Sequence, residues 1–241
     1  MDHQLKQLQD WISESRHIVF FGGAGVSTES GIPDFRSVDG LYHQQYAFPP
    51  ETILSHSFFE RNPEEFYRFY RSKMLFPQAR PNAAHWKLAE LEAAGKLTAV
   101  VTQNIDGLHQ AAGSKTVYEL HGSVHRNHCM KCRRFYGLDF LLETGGVPHC
   151  PACGGGVKPD VVLYEECLDE TTMEGAVEAI AGADMLIIGG TSLAVYPAAG
   201  LIRYYRGNRL ALINKSATPY DREAGLVINA SLGEVLGAIR V

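Results

Sequence analysis

Short, wholly apolar stretches recur along the chain without alternating with polar residues. They are Ile18–Phe21, Ala99–Val101, Val117–Leu120, Val161–Leu163, Met185–Ile188 and Leu210–Ile213. Strands of a parallel sheet have this pattern, because helices cover both faces of the sheet and bury every side chain. We therefore predict an α/β fold built on a doubly wound, Rossmann-like parallel sheet.

Helical stretches separate several of these strands, and their ends carry recognisable stop and start residues. Pro81–Ala94 and Asp169–Ala181 each end just before a glycine, which is common after the last helical residue. The last helix opens with Ser231 and Glu234, which have the spacing of a capping box.

Two regions interrupt the succession of strands and helices. Residues 34–76 contain no clear strand, and Asn62-Pro63 followed by two glutamates is typical of a helix start, so we predict a helical insertion. Residues 122–157 carry paired cysteines and form a second module. We expect both regions to make a smaller lobe, with a ligand site in the cleft between the lobes. The larger domain is then formed by residues 1–33, 77–121 and 158–241.

Paired cysteines give the strongest chemical signal in the chain. They are Cys129 with Cys132 and Cys150 with Cys153, and 17 residues separate the pairs. Two Cys-x-x-Cys pairs can hold one Zn²⁺ tetrahedrally, and four sulfur ligands leave no position open for water. We therefore predict one structural zinc ion in a zinc-ribbon module.

Two disulfides are the alternative for these cysteines. Met1–Arg16 lacks the apolar core of a secretory signal, and a reducing cytosol favours a bound metal over disulfides. The remaining cysteine, Cys167, is expected to be a packed thiol. His128 and His149 adjoin the two pairs, and we expect both to be surface residues.

Composition and charge limit the possible partners. The chain has 241 residues, of which 45% are hydrophobic and 20% charged, and its net charge of −5 disfavours non-specific binding to nucleic acid. No apolar run approaches the roughly 18 residues of a membrane-spanning helix. We expect a cytoplasmic monomer that binds neither membranes nor specific nucleic acids.

A glycine-rich turn, Gly22–Thr28, follows the first predicted strand. A strand that runs through such a turn into a helix suits a pyrophosphate, because backbone N–H groups face the anion. Thr28 stands where G-x-G-x-x-G has its third glycine, and no acidic residue ends a second strand about 20 residues further on. A hydride-transferring dehydrogenase is therefore disfavoured, and a plain tight turn stays an alternative.

Several motifs resemble, in order, the signatures of the sirtuin family. They are Gly23–Ser27 with Ser30–Arg36, Thr102–His109, Glu119–Gly122, the paired cysteines, Gly190–Leu193 and Ile213–Lys215. The resemblance covers nearly the whole chain and is nearest to the short bacterial sirtuins, which are NAD-dependent protein lysine deacylases. It implies NAD as co-substrate, an acylated-lysine protein or peptide as substrate, and nicotinamide and an O-acyl-ADP-ribose as products.

The resemblance also implies roles for individual residues. His121 would be the general base, since a histidine with a near-neutral pKa suits proton removal from a sugar hydroxyl, and Asn104 would be the second catalytic residue. His85 and His109 are expected to be structural. The implied NAD-binding positions are Ala24, Ser27, Thr28, Phe35, Arg36, Gln103, Ile105, Asp106, Thr191, Ser192, Asn214 and Lys215. The implied substrate-binding positions are Phe35, Val161, Leu163, Leu193 and Val195.

Two departures from the family pattern concern the acyl group. Leu163–Glu166 replaces the usual aromatic-Phe-Gly-Glu, a change that can widen the acyl tunnel and stiffen the substrate segment. Family members that remove succinyl groups carry Tyr-x-x-Arg, whereas Tyr67 is followed here by Tyr70. Without the arginine, a buried acyl carboxylate would lack its counter-charge, so we predict neutral acyl groups such as acetyl.

Two other functions remain open on the same scaffold. A protein mono-ADP-ribosyltransferase is one, although members of that kind often lack the histidine base that His121 would provide. A non-catalytic NAD-sensing module is the other, and it would be expected to show damage at His121, Asn104 or Asp106, all of which are intact.

Overall fold

The computed structural model describes residues 2–35, 40 and 48–241. Its strands are β1 Ile18–Gly22, β2 Leu97–Thr102, β3 Val117–Glu119, β4 Gly122–Cys129, β5 Phe135–Tyr136, β6 Val157–Val161, β7 Met185–Gly189, β8 Arg209–Ile213 and β9 Leu226–Ile228. Its α-helices are α1 Asp2–Glu14, α2 Pro50–Ile53, α3 His56–Arg61, α4 Pro63–Lys73, α5 Ala83–Ala93, α6 Leu108–Ala112, α7 Leu138–Glu143, α8 Glu170–Ala181 and α9 Leu232–Gly237.

Six strands form one parallel sheet in the order β3-β2-β1-β7-β8-β9. Counted along the chain within this sheet, the order is 3-2-1-4-5-6, which is that of the Rossmann fold. The predicted fold class is confirmed. Strand order reverses between β1 and β7, and ligands of such sheets bind beyond the carboxyl ends of the strands at this point.

Both faces of the sheet are covered, which explains the wholly apolar strands. Ile18 and Phe20 of β1 belong to a core cluster shared with α1, α5 and α9. Val19 and Phe21 point to the opposite face and pack in a second cluster with α8 and the 3₁₀ helix Ala198–Tyr204. All four side chains are fully buried.

A smaller lobe is built on the antiparallel sheet β5-β4-β6 and on helices α2, α3, α4 and α7. Its core includes Phe66, Tyr67, Tyr70 and Leu163. The prediction that Val161–Leu163 belongs to the parallel sheet is wrong, because β6 ends at Val161 and pairs with β4 in the small sheet. An apolar run reports burial but not the sheet in which a strand lies. The domain boundaries drawn from the sequence stay a prediction.

Two helix starts can be compared with the sequence-based predictions. Asp169 caps α8 by accepting from Thr172 N at 2.8 Å. The predicted capping box of α9 does not form, since the side chain of Ser231 caps nothing. The carboxylate of Glu29 accepts from Gly233 N at 2.7 Å instead. Among the residues that the structure describes, none of the helices qualifies as a membrane-spanning segment.

Candidate active site

Two glycine turns meet at the carboxyl ends of β1 and β7. Gly25 N donates to Gly190 O at 2.8 Å, and a Cβ on Gly25 would lie only 2.8 Å from Gly190 Cα. Gly190 itself has a φ of +60°, which favours glycine. The segment after the first turn forms two single-turn 3₁₀ helices, Ala24–Val26 and Thr28–Ser30, where the sequence predicted a helix. Residues of both turns line the cleft.

A hydrogen-bonded cluster lies beside the first turn. Ser27 Oγ donates to Asp106 Oδ2 at 2.6 Å and accepts from Asn104 Nδ2 at 3.1 Å. Leu108 N donates to Asp106 Oδ1 at 2.9 Å. Burial raises the pKa of Asp106, and the hydrogen bonds from Ser27 and Leu108 partly offset this. The cluster therefore offers a fixed carboxylate and a fixed amide at the floor of the cleft.

His121 lines the same cleft and lies immediately before β4. Its Nδ1 lies 3.0 Å from the carbonyl oxygen of Gln103. Since a carbonyl only accepts, Nδ1 carries the proton and Nε2 is the basic nitrogen. Burial lowers the pKa of His121, and the hydrogen bond to Gln103 partly opposes that shift. At neutral pH the ring is therefore a neutral base of defined tautomer.

The cleft is lined by residues of both lobes and has a volume of about 1400 Å³. Single pockets for small ligands have roughly 300–1000 Å³, so this space can hold more than one ligand. Most of the predicted site residues line it. They are Ala24, Ser27, Thr28, Phe35, Gln103, Asn104, Ile105, Asp106, His121, Val161, Leu163, Thr191, Ser192, Val195, Asn214 and Lys215.

The other predicted residues lie elsewhere. Leu193 is buried in the second core cluster, so its side chain faces away from the cleft. Arg36 lies outside the described residues. Cys167 is exposed, so the expectation of a packed thiol is wrong. His85 and His109 are buried below the site with ring centroids 4.8 Å apart, in keeping with structural residues.

The tyrosines considered for acyl recognition are not part of the cleft wall. Tyr67 and Tyr70 are buried in the small-lobe core, and the Tyr67 hydroxyl donates to Val157 O. Arg68 points to solvent and pairs with Glu65, and Arg71 donates to the backbone of α7. None of these groups is placed to compensate a charged acyl chain in the cleft.

The two cysteine pairs converge at one end of the small lobe. All four sulfur atoms lie within 4.8 Å of one another. Cys129 Sγ is 3.4 Å from Cys153 Sγ, and Cys132 Sγ is 3.6 Å from Cys150 Sγ. Disulfides need about 2.05 Å, whereas tetrahedral zinc with Zn–S bonds of about 2.3 Å places its sulfurs about 3.8 Å apart. The geometry fits zinc and rules out the disulfide alternative for this arrangement.

Two residues that support the site were not found from the sequence. His125 Nε2 donates to the backbone carbonyl of Asp106 at 3.0 Å, and His125 lies where the register of β4 shifts between Ser123 and Asn127. Asn82 caps α5 and also donates to Val26 O at 2.8 Å and to Ser30 Oγ at 2.9 Å. The position of Asn82 before α5 was a signal for the cap, but nothing in the sequence pointed to its second contact.

The sheet order, the paired glycine turns and the histidine at the cleft define a two-lobed nucleotide-binding protein with a cysteine metal site. Residues 23–197 match the Sir2 family. An NAD-dependent protein deacetylase of Clostridium perfringens is 62% identical over 99% of both chains. One of Staphylococcus aureus is 43% identical, also over 99% of both.

Solved structures give the same result. A Sir2 protein bound to an acetylated peptide has a TM-score of 0.85 and 39% identity, covering 96% of this chain and 95% of its own. A Sir2 complex with a p53 peptide and NAD+ has a TM-score of 0.84 and 41% identity, with the same coverage. The chain belongs to the Sir2 family, the sirtuins.

Proposed function

We propose that this protein is an NAD-dependent protein lysine deacetylase, which converts an acetylated lysine and NAD to free lysine, nicotinamide and an O-acetyl-ADP-ribose. The observation that carries the proposal is the state of His121. Its Nδ1 donates a hydrogen bond to the Gln103 carbonyl, so the unprotonated Nε2 is available as a base at the cleft. A base held in one tautomer is what proton removal from a ribose hydroxyl requires.

NAD supplies the ADP-ribosyl group that accepts the acyl group. The crowded glycine turns, with Ala24 and Thr28, would hold the phosphates. Asp106 and Ile105 would hold the nicotinamide amide, and Phe35 would shield the reacting carbon from water. Further ribose contacts are proposed for Ser27, Asn104, Gln103, Thr191, Ser192, Asn214 and Lys215, and a phosphate contact for Arg36.

The peptide would lie as an added strand between residues 161–166 and 193–196. Val161, Leu163 and Phe35 would surround the lysine stem, and Val195 would face the peptide. Leu193 would contribute through its backbone, since its side chain is buried. Neutral acyl groups are favoured, because Tyr70 stands where desuccinylating relatives have an arginine.

One zinc ion on the four cysteines would hold the small lobe together, as the sulfur distances support. The larger domain would be formed by residues 1–33, 77–121 and 158–241, with the insertion 34–76 and the module 122–157 in the small lobe. The protein would act as a cytoplasmic monomer without a nucleic-acid partner, in keeping with its net charge of −5. Light scattering after size exclusion tests the monomer.

The proposal is tested by mass spectrometry of an acetyl-lysine peptide incubated with the protein, with and without NAD. Loss of acetyl only with NAD, together with equal amounts of nicotinamide and O-acetyl-ADP-ribose, is the expected result. ADP-ribose attached to protein, with the acetyl group intact, would favour the transferase alternative. An unchanged peptide and unchanged NAD would favour the non-catalytic alternative.

A further inference from the structure

The segment after β6, residues 162–166, is fastened along one side of the cleft. Tyr164 N donates to Leu54 O at 3.0 Å, and His56 N donates to Tyr164 O at 3.0 Å. A parallel bridge between Ser55 and Tyr164 results. Tyr164 is thus paired through its backbone with the helical insertion, and residues 162–166 also line the cleft.

Glu165 adds a side-chain contact at the end of this bridge. Its Oε2 accepts from Ser57 N at 2.8 Å, and its Oε1 accepts from Ser57 Oγ at 3.0 Å. Ser57 belongs to the first turn of α3, where a carboxylate is favoured by free N–H groups and by the helix dipole. Both oxygens of one carboxylate therefore bind one residue of the helical insertion.

Glu165 has a left-handed backbone conformation. Its φ is +75°, in the left-handed region that a residue with a Cβ adopts at a cost and that glycine adopts freely. The hydrogen bonds from Ser57 to the Glu165 carboxylate help to stabilise this unfavourable backbone conformation. Glutamate at this position thus fixes one conformation, where glycine would allow several.

The contact of Glu165 is additional to the side-chain N-cap of α3. Ser55 already caps this helix, since its Oγ accepts from Phe58 N at 3.2 Å. The neighbouring Glu166 holds the same segment from the other direction, with Oε2 accepting from Leu163 N at 2.9 Å and from Lys158 Nζ at 3.1 Å. Both glutamate side chains therefore hold this segment in place, and Glu165 does so by binding the start of α3.

We propose that Glu165 and Ser57 are positioning residues for substrate binding: the carboxylate clamps residues 162–166 to α3 and so presents a preformed edge to the acylated peptide. This inference rests on the proposed function. A preformed edge lowers the ordering cost when a peptide pairs with it, so the clamp acts on peptide affinity and not on the chemical step.

The test compares Glu165→Ala with Glu165→Gln in steady-state kinetics. Glu165→Ala should raise the KM for an acetyl-lysine peptide roughly fivefold, and leave kcat and the KM for NAD within about twofold. Glutamine can still accept from Ser57 N and donate to Ser57 Oγ, so Glu165→Gln should restore the KM to within about twofold of the wild type. Glu170→Ala removes the same charge at the exposed start of α8 and serves as the matched control.

Ser57→Ala removes one of the two contacts and should raise the peptide KM less than Glu165→Ala. The double variant should be no worse than Glu165→Ala alone, because both changes remove the same interaction. An unchanged peptide KM in Glu165→Ala, or equal losses in Glu165→Ala and Glu170→Ala, would overturn the clamp. A wild-type protein that leaves the acetyl peptide intact would instead contradict the proposed function.

Discussion

Single residues set the chemistry of the site through contacts that are distant in sequence. His121 could be selected from ten histidines because of the residues around it. The tautomer of His121 could not be predicted from the sequence, because it depends on the carbonyl oxygen of Gln103, which lies 3.0 Å from Nδ1 in the folded chain. Likewise the acidity of Asp106 is set by burial and by Ser27, which is 79 residues away.

Gly122 follows His121 at the start of β4, and its replacement should be costly. It has a φ of +74°, and a Cβ there would overlap the carbonyl oxygen of Asp160 on β6. Gly122→Ala should therefore lower the free energy of unfolding by more than about 2 kcal/mol, because strain and overlap act together. Chemical denaturation measures this change.

Gly145→Ala is the matched control for that variant. A Cβ at Gly145 would meet no atom within 4 Å among the described residues, and its φ is not positive. Its stability should stay within about 0.5 kcal/mol of the wild type. Equal losses from the two alanine variants would contradict the role assigned to Gly122.

Secondary-structure elements followed the sequence closely wherever the signal was local. The start of α4 is capped by Asn62, which accepts from Glu65 N at 3.4 Å, as predicted. The cap of α9 comes from Glu29, about 200 residues earlier in the chain. The capping box predicted from the local spacing of Ser231 and Glu234 is therefore wrong. β9, at the sheet edge, was not among the predicted strands.

The buried pair His85 and His109 joins α5 to α6 and should make the fold sensitive to acid. Burial lowers the pKa of His85 to about 4 and that of His109 to about 3, and His85 contributes to the latter shift. An unfolded histidine binds a proton below about pH 6.5, but these two do not in the folded state. Acidification therefore destabilises the fold from about pH 6.5 downwards, by roughly 2 kcal/mol for each histidine at pH 5.

Replacing one member of the pair tests this linkage. Between pH 7 and pH 5, the wild type should lose about 2 kcal/mol more unfolding free energy than His109→Leu, which has no such proton to bind. Urea denaturation at both pH values gives the difference, and the exposed His3→Leu should behave as the wild type. Equal pH-dependent losses in the wild type and His109→Leu would contradict the account.

At the scale of the whole molecule, the large lobe was predictable and the small lobe only in part. Apolar strands with helices between them identified the doubly wound sheet, and cysteine spacing identified the metal module. The sequence could not show that Val161 pairs with β4 instead of joining the parallel sheet, or that residues 161–163 border the cleft. That arrangement depends on pairing with a strand that is distant in the chain, and such pairing leaves no periodicity in either segment.

Zinc should be required for the small lobe. Binding free energies of structural zinc sites are about 10–16 kcal/mol in small zinc domains, and this energy is available only to the folded state. Cys132→Ser should therefore lower zinc content, reduce the thermal midpoint and abolish most activity. Elemental analysis and thermal unfolding measure the first two.

Cys167→Ser is the control, since Cys167 is exposed and lies outside the four-cysteine cluster. It should keep the zinc content, the thermal midpoint and the activity of the wild type. Full activity of a metal-free protein would show that zinc is not needed.

The central claim is that His121 is the base in NAD-dependent deacetylation, acting after nicotinamide has left. The most direct measurement follows deacetylation and exchange of labelled nicotinamide into NAD in the same sample of His121→Ala. We predict that deacetylation falls by at least about 100-fold while exchange persists, in a variant whose thermal midpoint matches the wild type. Deacetylation near the wild-type rate in that folded variant would contradict the account.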